Sequence, residues 1–177
     1  MVVLSLEGNK LIGTLPDAWQ NMTDLALTYL DLGDKMLSGS LPQAWSDMTS
    51  LAYISLAQNL LDMSSNALSE LSYKLLPDSL EVLRLSKNKL AGAFPDASML
   101  PANLTILGLA NNLLTGSLPV AMPIKLAVLN ATHNHMDGTV PAAWDVPLAE
   151  ARLGSNKFVG KLPASWSRYG RNTSNSF

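Results

Sequence analysis

One phrase recurs along the chain at nearly constant spacing. It reads LSLEGNKLIGTLPDAW at 4–19, LDLGDKMLSGSLPQAW at 30–45, LGLANNLLTGSLP at 107–119, LNATHNHMDGTVPAAW at 129–144 and ARLGSNKFVGKLPASW at 151–166. Looser copies are ISLAQNLL at 54–61 and LRLSKNKLAGAFP at 83–95. The phase-marking residues are Asn9, Lys35, Asn59, Asn88, Asn112, Asn134 and Asn156, spaced 26, 24, 29, 24, 22 and 22 residues apart. A unit this short cannot bury its own apolar face. Stacking on its neighbours is what gives it a core.

The residues say how the unit stacks. In L-x-L the two leucines point to one side of a short strand and the residue between them to the other. Parallel strands require a return connection, and a coil of 22–29 residues supplies it. The asparagine follows the strand, where the chain turns inward. Its amide both donates and accepts, so it satisfies turn groups otherwise buried unpaired. The structural ladder is therefore Asn9, Asn59, Asn88, Asn112, Asn134 and Asn156. Lys35 breaks it, because an ammonium accepts nothing; its head is expected in solvent, with local strain. Asn112→Ala is expected to cost more than Asn111→Ala, since Asn111 faces water. After the turn, Gly13, Gly39, Gly92, Gly116, Gly138 and Gly160 bend the chain. Pro16, Pro42, Pro95, Pro119, Pro141 and Pro163 then start a convex-side turn. Trp19, Trp45, Trp144 and Trp166 lie three residues later, on the core side of a 3₁₀ turn. An exposed aromatic platform is the functional alternative for these tryptophans.

Repeat 3 lacks the G-x-L-P segment. Leu68, Leu71 and Leu75 fall on one helical face, Ser64 or Ser65 is placed to cap it and Pro77 to end it. An α-helix is expected from about Ala67 to Leu76, which accounts for the spacing of 29.

The phase also sorts the outward positions of the strands. The residue between the leucines gives Ser5, Asp31, Ser55, Arg84, Gly108, Asn130 and Arg152. The next gives Glu7, Gly33, Ala57, Ser86, Ala110, Thr132 and Gly154. The residue before the first leucine gives Val3, Tyr29, Tyr53, Val82, Ile106, Val128 and Glu150. The candidate ligand-binding set on the concave face is Tyr29, Asp31, Tyr53, Ser55, Val82, Arg84 and Ile106. Its aromatic and aliphatic row serves either a protein or peptide partner or plain cross-strand packing.

No catalytic constellation, metal site or cofactor site is expected. His133 and His135 flank the ladder residue Asn134 on the rim, with Asp137 nearby, a poor metal set. Glu7, Glu70, Glu81 and Glu150 share no phase, and every glycine belongs to the repeat. The chain is read as non-catalytic. A net charge of −2 argues against nucleic-acid binding, which needs a basic face. With no cysteine there is neither a disulfide scaffold nor a thiolate site. Apolar runs are too short to span a bilayer. MVVLSLEGN has neither the basic nor the apolar region of a signal peptide. Sequons stand at Asn21, Asn103, Asn130 and Asn172, and lend some support to secretion.

The unit resembles the leucine-rich repeat, and within it the plant-type subclass, where G-x-L-P follows the N-x-L turn. The resemblance implies an α/β solenoid, right-handed and curved, with a parallel concave sheet and short convex 3₁₀ or helical turns. It covers residues 2–167 and implies a single domain over 1–177, with repeats near 2–26, 27–50, 51–79, 80–103, 104–125, 126–147 and 148–169. LPDAWQNMTDL at 15–25 and LPQAWSDMTSL at 41–51 are similar to repeats of kinetoplastid surface antigens and proteophosphoglycans. That implies a surface or secreted recognition module, possessing a cysteine-containing cap, stalk and anchor that this stretch lacks. The chain is accordingly expected to be part of a longer protein. The competing expectation is an intracellular or flagellar scaffold subunit whose uncapped solenoid ends dock neighbours.

Overall fold

A computed structural model of the 177-residue chain describes residues 2–16, 18–19, 26–61, 76–142, 144 and 146–166. The helix expected over 67–76 lies almost wholly outside these residues, as do Asn21 and Asn172.

Seven short strands form one parallel sheet. They are β1 (Val2–Ser5), β3 (Leu27–Asp31), β5 (Tyr53–Ser55), β7 (Val82–Arg84), β9 (Ile106–Gly108), β11 (Val128–Asn130) and β12 (Glu150–Arg152), adjacent in chain order. This is the leucine-rich-repeat solenoid. From β3 to β12 equivalent repeat positions face one another without slip: Tyr29 opposes Tyr53, Tyr53 opposes Val82, Val82 opposes Ile106, and so on to Val128 and Glu150, while β1 meets β3 with a register shift between Val2 and Val3. Backbone bonding continues into the turn, with Leu32 N–H to Ser55 O at 2.8 Å and Leu85 N–H to Gly108 O at 2.7 Å.

The inward column Leu30, Ile54, Leu83, Leu107 and Leu129 has no exposed area, and Leu32, Leu56, Leu85 and Leu109 form a second column behind it. Each such side chain stabilises by about 1.5–3 kcal/mol on burial. Trp45 and Trp144 fill the convex side of the core. Half-buried Trp19 stacks on Trp45 at 6.2 Å, and half-buried Trp166 lies against Trp144 at 5.5 Å. The 3₁₀ turn Gln43–Asp47 places Trp45 through Trp45 N–H to Pro42 O at 3.2 Å.

The lateral flank was not legible in the repeat pattern. β2 (Ile12–Thr14), β4 (Met36–Gly39) and β6 (Leu60–Leu61) form a second parallel sheet, and β8 (Ala91–Ala93) pairs with β10 (Leu113–Thr115) in a third. Here equivalent positions do not meet. Ile12 faces Met36 rather than its counterpart Ser38, and Ala91 faces Leu113 rather than Thr115. Each strand is shifted by two residues, about 6.6 Å. Successive turns are in phase on the concave side and offset on the flank. The repeat glycine sits where this offset closes. Gly39 has φ +82, and a Cβ there would come within 3.1 Å of Thr14 Cγ2. Only glycine meets both demands.

Candidate functional site

The ladder is the frame on which the concave face is built. Asn112 Nδ2 donates to Leu109 O of its own turn at 3.0 Å and to Leu85 O of the preceding turn at 3.0 Å. Its Oδ1 accepts from Leu90 N–H at 3.0 Å. One buried side chain thus ties two turns at both flanks of the bend. Asn59, Asn88, Asn134 and Asn156 repeat the pattern, with Oδ1 taking the N–H of Leu37, Leu61, Leu114 and Met136. Asn9, in the first turn, is exposed and bonds Leu6 O and Glu7 O.

A second device in the same bend was missed. The residue before each rung is left-handed: Gly8 (φ 70), Asp34 (56), Gln58 (58), Lys87 (57), Asn111 (57), His133 (54) and Ser155 (57). The available signal was compositional, because Gly, Asp, Asn and His tolerate this region best. Asn111 is exposed, as expected, but its replacement by Ala is not cheap, since Ala loses Asn's tolerance of positive φ.

Lys35 requires a correction. Its side chain is 6% exposed and its ammonium points inward, donating to Leu6 O and to Gly33 O. Three N–H donors stand in for the amide's donor half, so the head follows the carbonyls rather than solvent. The acceptor half has no substitute, and no rung oxygen faces Leu11 N–H.

Asp31 and Ser55 also differ from expectation. Both lie on the outward row, yet each is only 6% exposed. Tyr29 and Tyr53 stack above them with ring centroids 4.1 Å apart and planes 8° apart. The Asp31 carboxylate accepts Gly33 N–H at 2.9 Å through Oδ1 and lies at 3.5 Å from the Tyr29 hydroxyl through Oδ2. Gly33 is needed here, because a Cβ would stand 3.2 Å from Asp31 Oδ1 and 3.5 Å from Ser55 Oγ. The Tyr53 hydroxyl, then burial, then the Asp31 charge push the Tyr29 phenol up to about 12 from its usual 10.0. Arg84 lies over the Tyr53 ring, Cζ 5.8 Å from its centroid.

The row continues as Val82, Ile106 and Val128. These are half-buried rather than fully exposed, because neighbours in register pack across the strands. At the far edge Arg152 pairs with Glu150. Asn130 Oδ1 accepts from Thr132 Oγ1 at 2.9 Å on the concave face, while Asn103 lies before β9 and bonds Asp78 O and Lys125 Nζ. His133 and His135 are exposed. Among the described residues no group of three or more histidine or acidic side chains is placed to hold a metal, and no helix is long and apolar enough to cross a membrane.

A family model described as Leucine Rich Repeat matches residues 1–22. No curated protein sequence matches the chain. Among solved structures the chain is similar to a TDR receptor, 28% identical with a TM-score of 0.69, covering 94% of this chain and 33% of that one. It is similar to the Arabidopsis receptor kinase HAESA, 25% identical with a TM-score of 0.70, covering 96% of this chain and 28% of that one. That structure holds the peptide hormone IDA and the co-receptor SERK1. A pollen receptor kinase 3 shares the fold at 22% identity and a TM-score of 0.72, covering 89% of this chain and 75% of that one. The chain spans a third or less of the first two receptors. Repeat wording and these likenesses together support a leucine-rich-repeat fold of the plant type.

Proposed function

We propose that the chain is a non-catalytic recognition module that binds an extended peptide across its concave face, within a surface or secreted protein. The observation that carries this reading is the stacked Tyr29–Tyr53 pair, extended by Val82 and Ile106 and bordered by a row of small side chains. Tyrosine offers large contact area at low entropic cost, with a polar tip. The small row lets a backbone approach the sheet closely. The likeness to HAESA, whose structure holds a peptide hormone, supports the same reading, as does the resemblance of LPxxW repeats to surface antigens. Asn103 and Asn130 are candidate glycan sites, and a glycan on Asn130 would occupy the concave face itself.

The test is selection from a displayed library of random twelve-residue peptides. Selected peptides should bind the chain and lose about 1–3 kcal/mol of affinity with Tyr53→Ser, while the melting temperature barely moves. Peptides that bind equally well to Tyr53→Ser would move the site off the concave face.

A second reading is a scaffold subunit of an intracellular or flagellar assembly. It is favoured by the lateral sheet, where Ile12 (73%) and Met36 stand exposed opposite each other and exposed Leu60 faces Ser38 on the next strand. Co-purification that Ile12→Ser abolishes and Tyr53→Ser leaves intact would put this reading ahead.

A further inference from the structure

Asp31 keeps only 6% of its surface exposed, yet its carboxylate is poorly compensated. It receives one short hydrogen bond, from Gly33 N–H at 2.9 Å, and one long approach, from the Tyr29 hydroxyl at 3.5 Å. The ion pair found among the described residues is Glu150 with Arg152, at the opposite edge of the sheet. The neighbouring cation, Lys35, is turned to the carbonyls of Leu6 and Gly33. An ionised carboxylate in such surroundings gains more from a cation than an exposed one does. The carboxylate belongs to the outward row, at the foot of the stacked tyrosines. Their electron-rich faces also favour a cation.

Two strands further along the same row stands Arg84, exposed, its guanidinium over the Tyr53 ring. Ser55 lies between, so the row presents an anion, a small neutral residue and a cation. Two strand spacings are about 9.6 Å. A peptide in the three-residue-per-turn extended form advances about 9.3 Å in three residues and returns its side chains to the same face. The two periods match.

We propose that the concave face selects a peptide carrying a basic residue for Asp31 and an acidic residue for Arg84 three positions apart, its backbone running across the strands over Ser55. The inference rests on the concave-face reading above and adds the ligand's charge pattern to it. Asp31 supplies the selective contact through the small part of its surface left open at the foot of the tyrosine pair, with its carboxylate already oriented by Gly33 N–H. Arg84 fixes direction, since it is exposed and screened by salt.

The experiment uses the same displayed library, read for charge pattern. The expected result is enrichment of arginine or lysine three residues from aspartate or glutamate, in one order along the chain. A selected peptide is then synthesised with arginine or with uncharged citrulline at the basic position. Both forms are titrated against the wild type and against Asp31→Asn, which keeps the size of the side chain and an oxygen for Gly33 N–H. The citrulline form should bind the wild type at least about tenfold more weakly, and that difference should vanish in Asp31→Asn. A merely structural role for Asp31 would weaken both peptides equally and leave the ratio intact, which overturns the inference. Arg84→Gln should relax the acidic preference and flatten the salt dependence. Selected peptides that need Tyr53 but show no charge preference would overturn the charge pattern and leave the concave-face reading standing. Failure to select any peptide would overturn both.

Discussion

The two halves of the concave face are built on one backbone and carry different chemistry. From β9 to β12 the rungs are Asn112, Asn134 and Asn156, and the row that begins with Tyr29 and Tyr53 is aliphatic, Ile106 and Val128, until Glu150. There the indole N–H of Trp144 donates to Pro119 O at 2.9 Å. From β1 to β7 the pattern is broken at several points. A lysine fills a rung, a carboxylate is buried on the outward row, and two tyrosines stack over it. The indole N–H of Trp45, fully buried, finds no partner among the described residues. Among the described residues the regular half leaves no buried side-chain polar atom without a partner. Among the described residues the irregular half holds buried charge and one unpaired buried donor, which stability alone does not favour. Departures from local consistency collect where a chain does something besides fold.

Breaking a rung in the regular half should have the largest effect. Asn112→Ala removes two donors and one acceptor from a buried bend, at about 1–3 kcal/mol for each partner left unsatisfied, so a loss of about 3 kcal/mol is expected in urea melts. Asn111→Ala next door should lose about 1 kcal/mol through its left-handed backbone, and Asn111→Gly close to nothing. Equal losses for Asn112→Ala and Asn111→Ala would dismiss the ladder as the frame.

The binding contrast comes next. Tyr53→Ser should weaken a selected peptide by about 1–3 kcal/mol and Val128→Ser by under about 0.5 kcal/mol, by calorimetric titration. Comparable effects would erase the distinction between the halves. In the irregular rung, Lys35→Asn should raise stability by about 1 kcal/mol, because the amide brings an acceptor for Leu11 N–H and removes a buried charge. A lower melting temperature would show that the ammonium is the better rung.

The smallest effects test backbone and titration. Ser155→Gly should raise stability by a few tenths of a kcal/mol at φ 57. For Tyr29 the folded-state value near 12 lies above the ordinary 10.0, so its contribution is whole below pH 10.0 and fades as pH rises toward 12. Tyr29→Phe should lose that part of the alkaline slope. An unchanged slope would place its hydroxyl away from Tyr53 and Asp31.

Much of this molecule was legible before folding. L-x-L and the Asn phase mark strand order, register and the inward columns, because a repeat constrains every copy at once. What escaped depends on contacts between copies. The two-residue stagger of β2, β4 and β6 leaves no mark in a single unit. The left-handed residue before each rung is hidden because Gln58, Lys87 and Ser155 are not typical of that region. Lys35 was read by its charge, and its surroundings proved to be carbonyls that welcome a donor. Asp31 was placed on the correct face, but a strand pattern does not show that a stacked pair above will bury it.

In the proposed binding mode the irregular turns carry the ligand and the regular ones support them. Amide chemical-shift mapping of the isotope-labelled chain, titrated with a selected peptide, tests it most directly. The largest shifts are expected in β3, β5 and β7, around Tyr29, Asp31, Tyr53 and Arg84, fading beyond Ile106. Shifts centred on β11 and β12, or on the lateral strands β2, β4 and β6, would contradict it.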